Sequence, residues 1–167
     1  QMLSDEILMA QTGDMMWAAN LEDVAFNSLP ASMTEDLKAL RYLTCPNMVQ
    51  SDSRNHHPGV DNRGPFFSMN PFSSRCCQHN HAMGWPYYAQ NLVLASADGG
   101  AAILTYSDCQ ATLLVGDGKR VTLDEQTHYP FGEDVLITVG GLGRKGSATF
   151  PLYLRIPAWT TDAHVQV

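Results

Sequence analysis

The chain has 167 residues, 44% hydrophobic and 16% charged, a composition that sustains a globular core and excludes extended disorder. It carries 10 basic and 17 acidic residues, a net charge of -7, with no basic cluster, which argues against nucleic acid as a partner. No apolar run approaches the roughly 20 residues that span a bilayer, so no membrane partner is expected. The start, Gln1-Met2-Leu3-Ser4, has no charged-then-apolar leader architecture, and the compartment stays open.

Taken from the N-terminus, residues 1–29 read as two helices separated at Thr12-Gly13-Asp14. Ile7, Leu8 and Met9 belong to the first; Trp17, Leu21, Val24 and Leu29 recur near helical spacing in the second. Ser4 is a candidate cap for the first helix, with Asp5 and Glu6 favouring its positive end, and Asp14 is a candidate cap for the second. Pro30 is expected to end it. Residues 30–75 hold five prolines together with large apolar residues, from Leu37 to Phe72, and read as a packed functional loop region with short strands. Residues 79–96 return to helical patterning, with Trp85, Tyr88, Leu92 and Ala95 on one face and Pro86 near the start or at a kink.

From Ala101 onward the period becomes two. Strands are expected at 101–106, 111–115, 121–125, 135–139 and 149–156, with a hairpin turn at Asp117-Gly118. Strands at this spacing suggest an antiparallel sandwich, and helices followed by strands place the chain in the α+β class. The division between the two parts is expected at Ser96–Gly100, giving segments 1–96 and 97–167.

The densest chemistry lies in Ser74-Arg75-Cys76-Cys77-Gln78-His79-Asn80-His81. Cysteine and histidine are the usual zinc ligands, and a thiolate is a strong nucleophile once its pKa is lowered, by Arg75 or by a metal. Three readings of Cys76-Cys77 stay open on local grounds: two small buried hydrophobes, a metal or catalytic pair, or a vicinal disulfide. His79 and His81, two positions apart, point away from each other on a helix and share one site only if the backbone is extended. Glu22 and Asp23 are acids of the kind a glycosidase uses, but solvated helix charges are the plainer reading. His56-His57 reads as a loop rim, Cys109 as structural, and Trp159 as an aromatic at a sandwich edge.

Five segments together resemble glycoside hydrolase family 127, the β-L-arabinofuranosidase-like proteins. They are Ala25-Phe26-Asn27-Ser28-Leu29-Pro30-Ala31, Tyr42-Leu43-Thr44-Cys45-Pro46-Asn47, Arg75-Cys76-Cys77-Gln78-His79-Asn80, Thr127-His128-Tyr129-Pro130-Phe131 and Phe150-Pro151-Leu152-Tyr153-Leu154-Arg155-Ile156-Pro157-Ala158-Trp159. The resemblance implies an (α/α)6 catalytic barrel followed by a β-sandwich. Residues 1–96 would then be the last helices and loops of that barrel and 97–167 most of the sandwich. It implies a retaining hydrolysis of a carbohydrate substrate, plant-type polysaccharides or glycans, in which a zinc-bound cysteine thiolate replaces the usual nucleophilic carboxylate.

By position, Cys76 matches the nucleophile and zinc ligand and Cys77 the adjacent zinc ligand. Arg75, His79, Asn80 and His81 are candidates for sugar contacts. The remaining zinc ligands, a Glu-x-Cys pair, and the acid/base glutamate would lie upstream of the stretch that matches Gln1. Cys45 has Leu43 rather than glutamate two positions before it, and is not taken as a ligand. The isolated chain is accordingly expected to bind zinc weakly and to hydrolyse nothing measurable. Two other functions compete: a non-catalytic carbohydrate-binding or structural module using aromatics such as Phe66, Phe67, Trp85 and Tyr87, and a thiol redox protein, which the lack of a Cys-x-x-Cys disfavours.

Overall fold

The computed structural model describes residues 1–38, 40–41, 67–68, 75–144 and 146–167. These form two compact units, one of Gln1–Glu22 with Tyr87–Val167 and one of Asp23–Pro86. Among the described residues no helix is long and apolar enough to cross a membrane.

Helix α1 runs over Met2–Thr12 and closes on Gly13, whose φ of 68° suits a residue without a Cβ. Helix α2, Met15–Asp23, follows the break expected there. Asp14 caps it as anticipated: its Oδ1 accepts from the Met16 amide at 2.9 Å. Ser4 does not cap α1, because the helix already begins at Met2 with Gln1 before it. Burial on α1 is mixed. Met2, Asp5, Glu6 and Met9 face inward while Leu3 and Ile7 face out.

Pro30 does not stop the helical run. A π turn over Val24–Ser28 widens the backbone, so that the Leu29 amide bonds to the Val24 carbonyl. Pro30 then occupies the first turn of α3, Leu29–Ala31, where no N–H is needed. Of the long region that follows, β1 (Leu40–Arg41) and β2 (Phe67–Ser68) are described and pair antiparallel, in keeping with short strands in a loop region. Helix α4 spans Arg75–Ala82 and α5 spans Gly84–Gln90, with Pro86 near its start as the sequence requires. The helical reading fails beyond Gln90: Val93–Ala95 is strand β3. Of the expected helix face only Tyr88 and Leu92 are buried.

The strands are β4 (Ala101–Ile103), β5 (Cys109–Val115), β6 (Lys119–Thr127), β7 (Val135–Gly140) and β8 (Leu152–Leu154). One sheet has the order β3-β4-β8 and the other β5-β6-β7. The β5–β6 hairpin turns through Gly116-Asp117-Gly118, with both glycines at positive φ and Val115 opposite Lys119. The β5-β6-β7 sheet is antiparallel throughout, but β4 and β8 run parallel, a departure from the all-antiparallel expectation. The chain leaves β4, builds the whole second sheet and returns along β4 in the same direction, and a crossover of that length permits a parallel pair. Ala101, Ile103, Tyr106 and Leu123 form the centre between the sheets, with Leu113, Ile137, Leu152 and Leu154 packed against it. Each fully buried aliphatic side chain there contributes about 1.5–3 kcal/mol.

Candidate functional site

Helix α4 carries the cysteine pair in its first turn. Cys76 is exposed, Cys77 is half-buried, and their sulfurs stand 3.8 Å apart. Burial pushes the Cys77 thiol up from its ordinary range, and the neighbouring Cys76 adds to this. The Asn80 side-chain amide donates to the Cys76 carbonyl at 2.8 Å and so reinforces the helix rather than reaching outward. His79 is exposed. His81 is half-buried, with Nε2 3.2 Å from the Leu29 carbonyl oxygen, a hydrogen bond in which a proton on Nε2 is donated to the carbonyl.

The helical backbone separates the two imidazoles by about 200° around the axis, so they do not converge on one site. Gly84 completes the docking. A Cβ at this position would lie 2.7 Å from a Leu29 methyl, so any larger residue there would require the Leu29 side chain to shift. Phe26 and Trp85 pack beside this contact with ring centroids 6.1 Å apart. Among the described residues, no three of histidine, cysteine, aspartate and glutamate cluster as metal ligands. Cys45, His56, His57, Phe66 and the Arg75 and Phe67 side chains lie outside what is described.

The segment that holds this pair matches a known family. Residues 1–90 match the family described as beta-L-arabinofuranosidase, GH127 catalytic domain. The chain belongs to glycoside hydrolase family 127. Residues 101–167 of this family 127 chain match the beta-L-arabinofuranosidase, GH127 middle domain. A solved structure titled "Glycoside hydrolase" shares its fold, with a TM-score of 0.73 and 24% identity over 96% of the chain. The chain spans 25% of the length of that protein. A search of curated proteins finds no match.

Two further clusters of the family 127 chain were not legible as sites. Glu22, at the end of α2, is not a solvated helix charge. Its Oε1 accepts from the Arg155 guanidinium at 2.6 Å, and both side chains are buried. The Tyr129 hydroxyl hydrogen-bonds with both, and burial followed by the Glu22 carboxylate pushes that phenol up. The Tyr106 hydroxyl donates to the Arg155 carbonyl, and Tyr88 donates to the Tyr106 carbonyl at 3.3 Å. Trp159 stacks on Tyr129 at 6.2 Å and remains 66% exposed, in agreement with an edge aromatic. The pair joins the segment matching the catalytic domain to that matching the middle domain.

The second cluster surrounds Glu125 on β6. It lies opposite Cys109 in the β5–β6 register and accepts from the Ser107 amide at 3.0 Å. Burial raises Glu125 to about 7 and the Cys109 thiol to about 11, which keeps Cys109 in its thiol form at neutral pH. An open cleft of about 670 Å³ adjoins them, lined also by Asp108, Asp124, Glu133 and Asp134. It offers no lysine or arginine, its histidine is His128, and its thiol Cys109 stands beside carboxylates, so the pair of exposed Cys76 and half-buried Cys77 is the better candidate for chemistry.

Proposed function

We propose that this chain is part of a retaining glycoside hydrolase acting on β-L-arabinofuranosides or related sugars of plant-type polysaccharides or glycans, with Cys76 as its nucleophile. The observation that carries the reading is the dithiol on α4, inside the segment matched to the catalytic domain. Its donor set suits zinc: two sulfurs on a tetrahedral ion with bonds of ~2.3 Å stand about 3.8 Å apart. That is the separation of the Cys76 and Cys77 sulfurs. Both thiols would hold the metal, which supplies a lowered thiol pKa and so a thiolate at neutral pH. The other donors would come from outside the described residues.

In the reaction, the Cys76 sulfur attacks the anomeric carbon, and the glycosidic oxygen leaves with a proton from a carboxylic acid. Water then cleaves the carbon–sulfur bond, assisted by the same carboxylate, and Cys76 is restored with net retention. The α4 helix holds the attacking sulfur on a fixed backbone, which Asn80 stiffens and the His81 and Gly84 contacts anchor. We assign residues 1–96 to the end of an (α/α)6 barrel and 97–167 to the following sandwich. The apolar outward residues Leu3, Ile7 and Met16 support this, since such faces suit packing against further helices. On its own the chain is expected to hydrolyse nothing measurable.

The test is turnover of an aryl β-L-arabinofuranoside by the whole protein that contains this chain. Cys76→Ser should abolish it, and retained turnover removes the nucleophile assignment. A second reading, a non-catalytic carbohydrate-binding module, is favoured by the exposure of Trp85 at 43% and Trp159 at 66%. Calorimetric titration with arabinan oligosaccharides separates the two, since tight binding without zinc supports the module.

A further inference from the structure

Two thiols on consecutive residues are usually read as a disulfide in waiting, and the α4 backbone opposes that. Consecutive Cα atoms lie ~3.8 Å apart across a trans peptide, below the ~4.4 Å at which disulfides begin. Helical geometry also turns successive side chains about 100° from each other. Bringing the two sulfurs from 3.8 Å to the ~2.05 Å of a direct bond therefore requires the first turn of α4 to unwind. A single large atom bonded to both sulfurs makes no such demand, because it spans the gap that exists.

We infer that Cys76 and Cys77 form a chelating dithiol that captures trivalent organoarsenicals as a cyclic adduct while resisting closure to a disulfide. The step balances without an oxidant. An arsenoso group, R–As=O, and two thiols give R–As(S)₂ and one water. Two As–S bonds form, the two thiol protons leave on the arsenoso oxygen, and arsenic stays trivalent. Exposed Cys76 makes the first bond, and half-buried Cys77 closes the ring. Cys109 does not compete, being half-buried beside the Glu125 carboxylate. The inference stands on thiol geometry alone and does not need the zinc reading. If that reading also holds, capture removes the nucleophile.

The experiment uses the chain with phenylarsine oxide, read by intact mass and peptide mapping. The expected result is one adduct on the Cys76-Cys77 peptide that survives excess glutathione and is released by a dithiol. A neighbouring thiol acts at millimolar or higher effective concentration, so Cys76→Ser and Cys77→Ser should each lose the adduct to glutathione at least about tenfold faster. Cys45→Ser and Cys109→Ser should keep it. Circular dichroism of each variant verifies that the helices persist. Adducts equally persistent in Cys76→Ser and the parent chain would overturn the inference. So would a Cys76–Cys77 disulfide formed by oxidised glutathione. Because the readout is an adduct mass, it can fail while the glycosidase reading stands, and the reverse.

Discussion

Replacing Glu22 by alanine leaves the Arg155 guanidinium buried without its carboxylate. The side chains of Arg155 and Glu22 are 2% and 9% exposed, and their N–O distance is 2.6 Å. Removing one member of such a pair costs about 3–5 kcal/mol, mostly the desolvation of the charge left behind. That is a large part of the ~5–15 kcal/mol that holds an ordinary domain folded. With a urea slope of about 2 kcal/mol/M, the unfolding midpoint followed by tryptophan fluorescence should fall by about 1.5–2.5 M. The double variant Glu22→Leu with Arg155→Met buries neither charge and should recover to within about 1 kcal/mol of the parent. A midpoint unchanged in Glu22→Ala would refute the reasoning, and so would a double variant no better than the single.

Other expectations concern pH and packing. Burial raises both Glu6 and Glu125 to about 7 from an ordinary value near 4.5. Between those two pH values the folded chain holds protons that the unfolded chain releases. The stability that each of these two groups contributes should therefore be fully present below about pH 4.5 and be lost as pH rises through 7, by about 2–3 kcal/mol for each group. Glu125→Gln keeps an acceptor for the Ser107 amide and should flatten that decline; an unchanged pH profile of thermal unfolding in Glu125→Gln would remove the assignment. Gly100→Ala should destabilise by about 1–3 kcal/mol or more. Its Cβ would sit 2.3 Å from the Pro151 carbonyl oxygen, which accepts from the Ala101 amide where β4 and β8 begin to pair. Calorimetry showing an unshifted melting temperature would contradict that packing.

The strands after Ala101 were readable because period-two patterning and the Gly116-Asp117-Gly118 turn are local signals, and so was the Asp14 cap, whereas β3 was read as helix. The Cys76-Cys77 pair was visible as chemistry, but its own residues left three readings open, and what the sequence made legible beyond that was the family, through the segments around the pair. What escaped the sequence is long-range. The Glu22–Arg155 pair spans 133 positions, and the His81 contact with Leu29 spans 52. The parallel β4–β8 pairing likewise depends on where a distant strand returns. Pro30 misled for a different reason: a proline ends a regular α-helix, but the π turn before it lets the helical run restart at Leu29. The burial of Asp5 and Glu6 on α1, beside Met2 and Met9, runs against residue-type expectation.

The central claim is that Cys76 is the residue to which the sugar becomes covalently attached. The most direct measurement is peptide mass spectrometry on the whole protein, acid-quenched during turnover of an activated aryl β-L-arabinofuranoside. The account predicts one pentosyl increment on the peptide containing Cys76, absent in Cys76→Ser. A pentosyl group on a carboxylate, or an active protein that never labels Cys76, would contradict it.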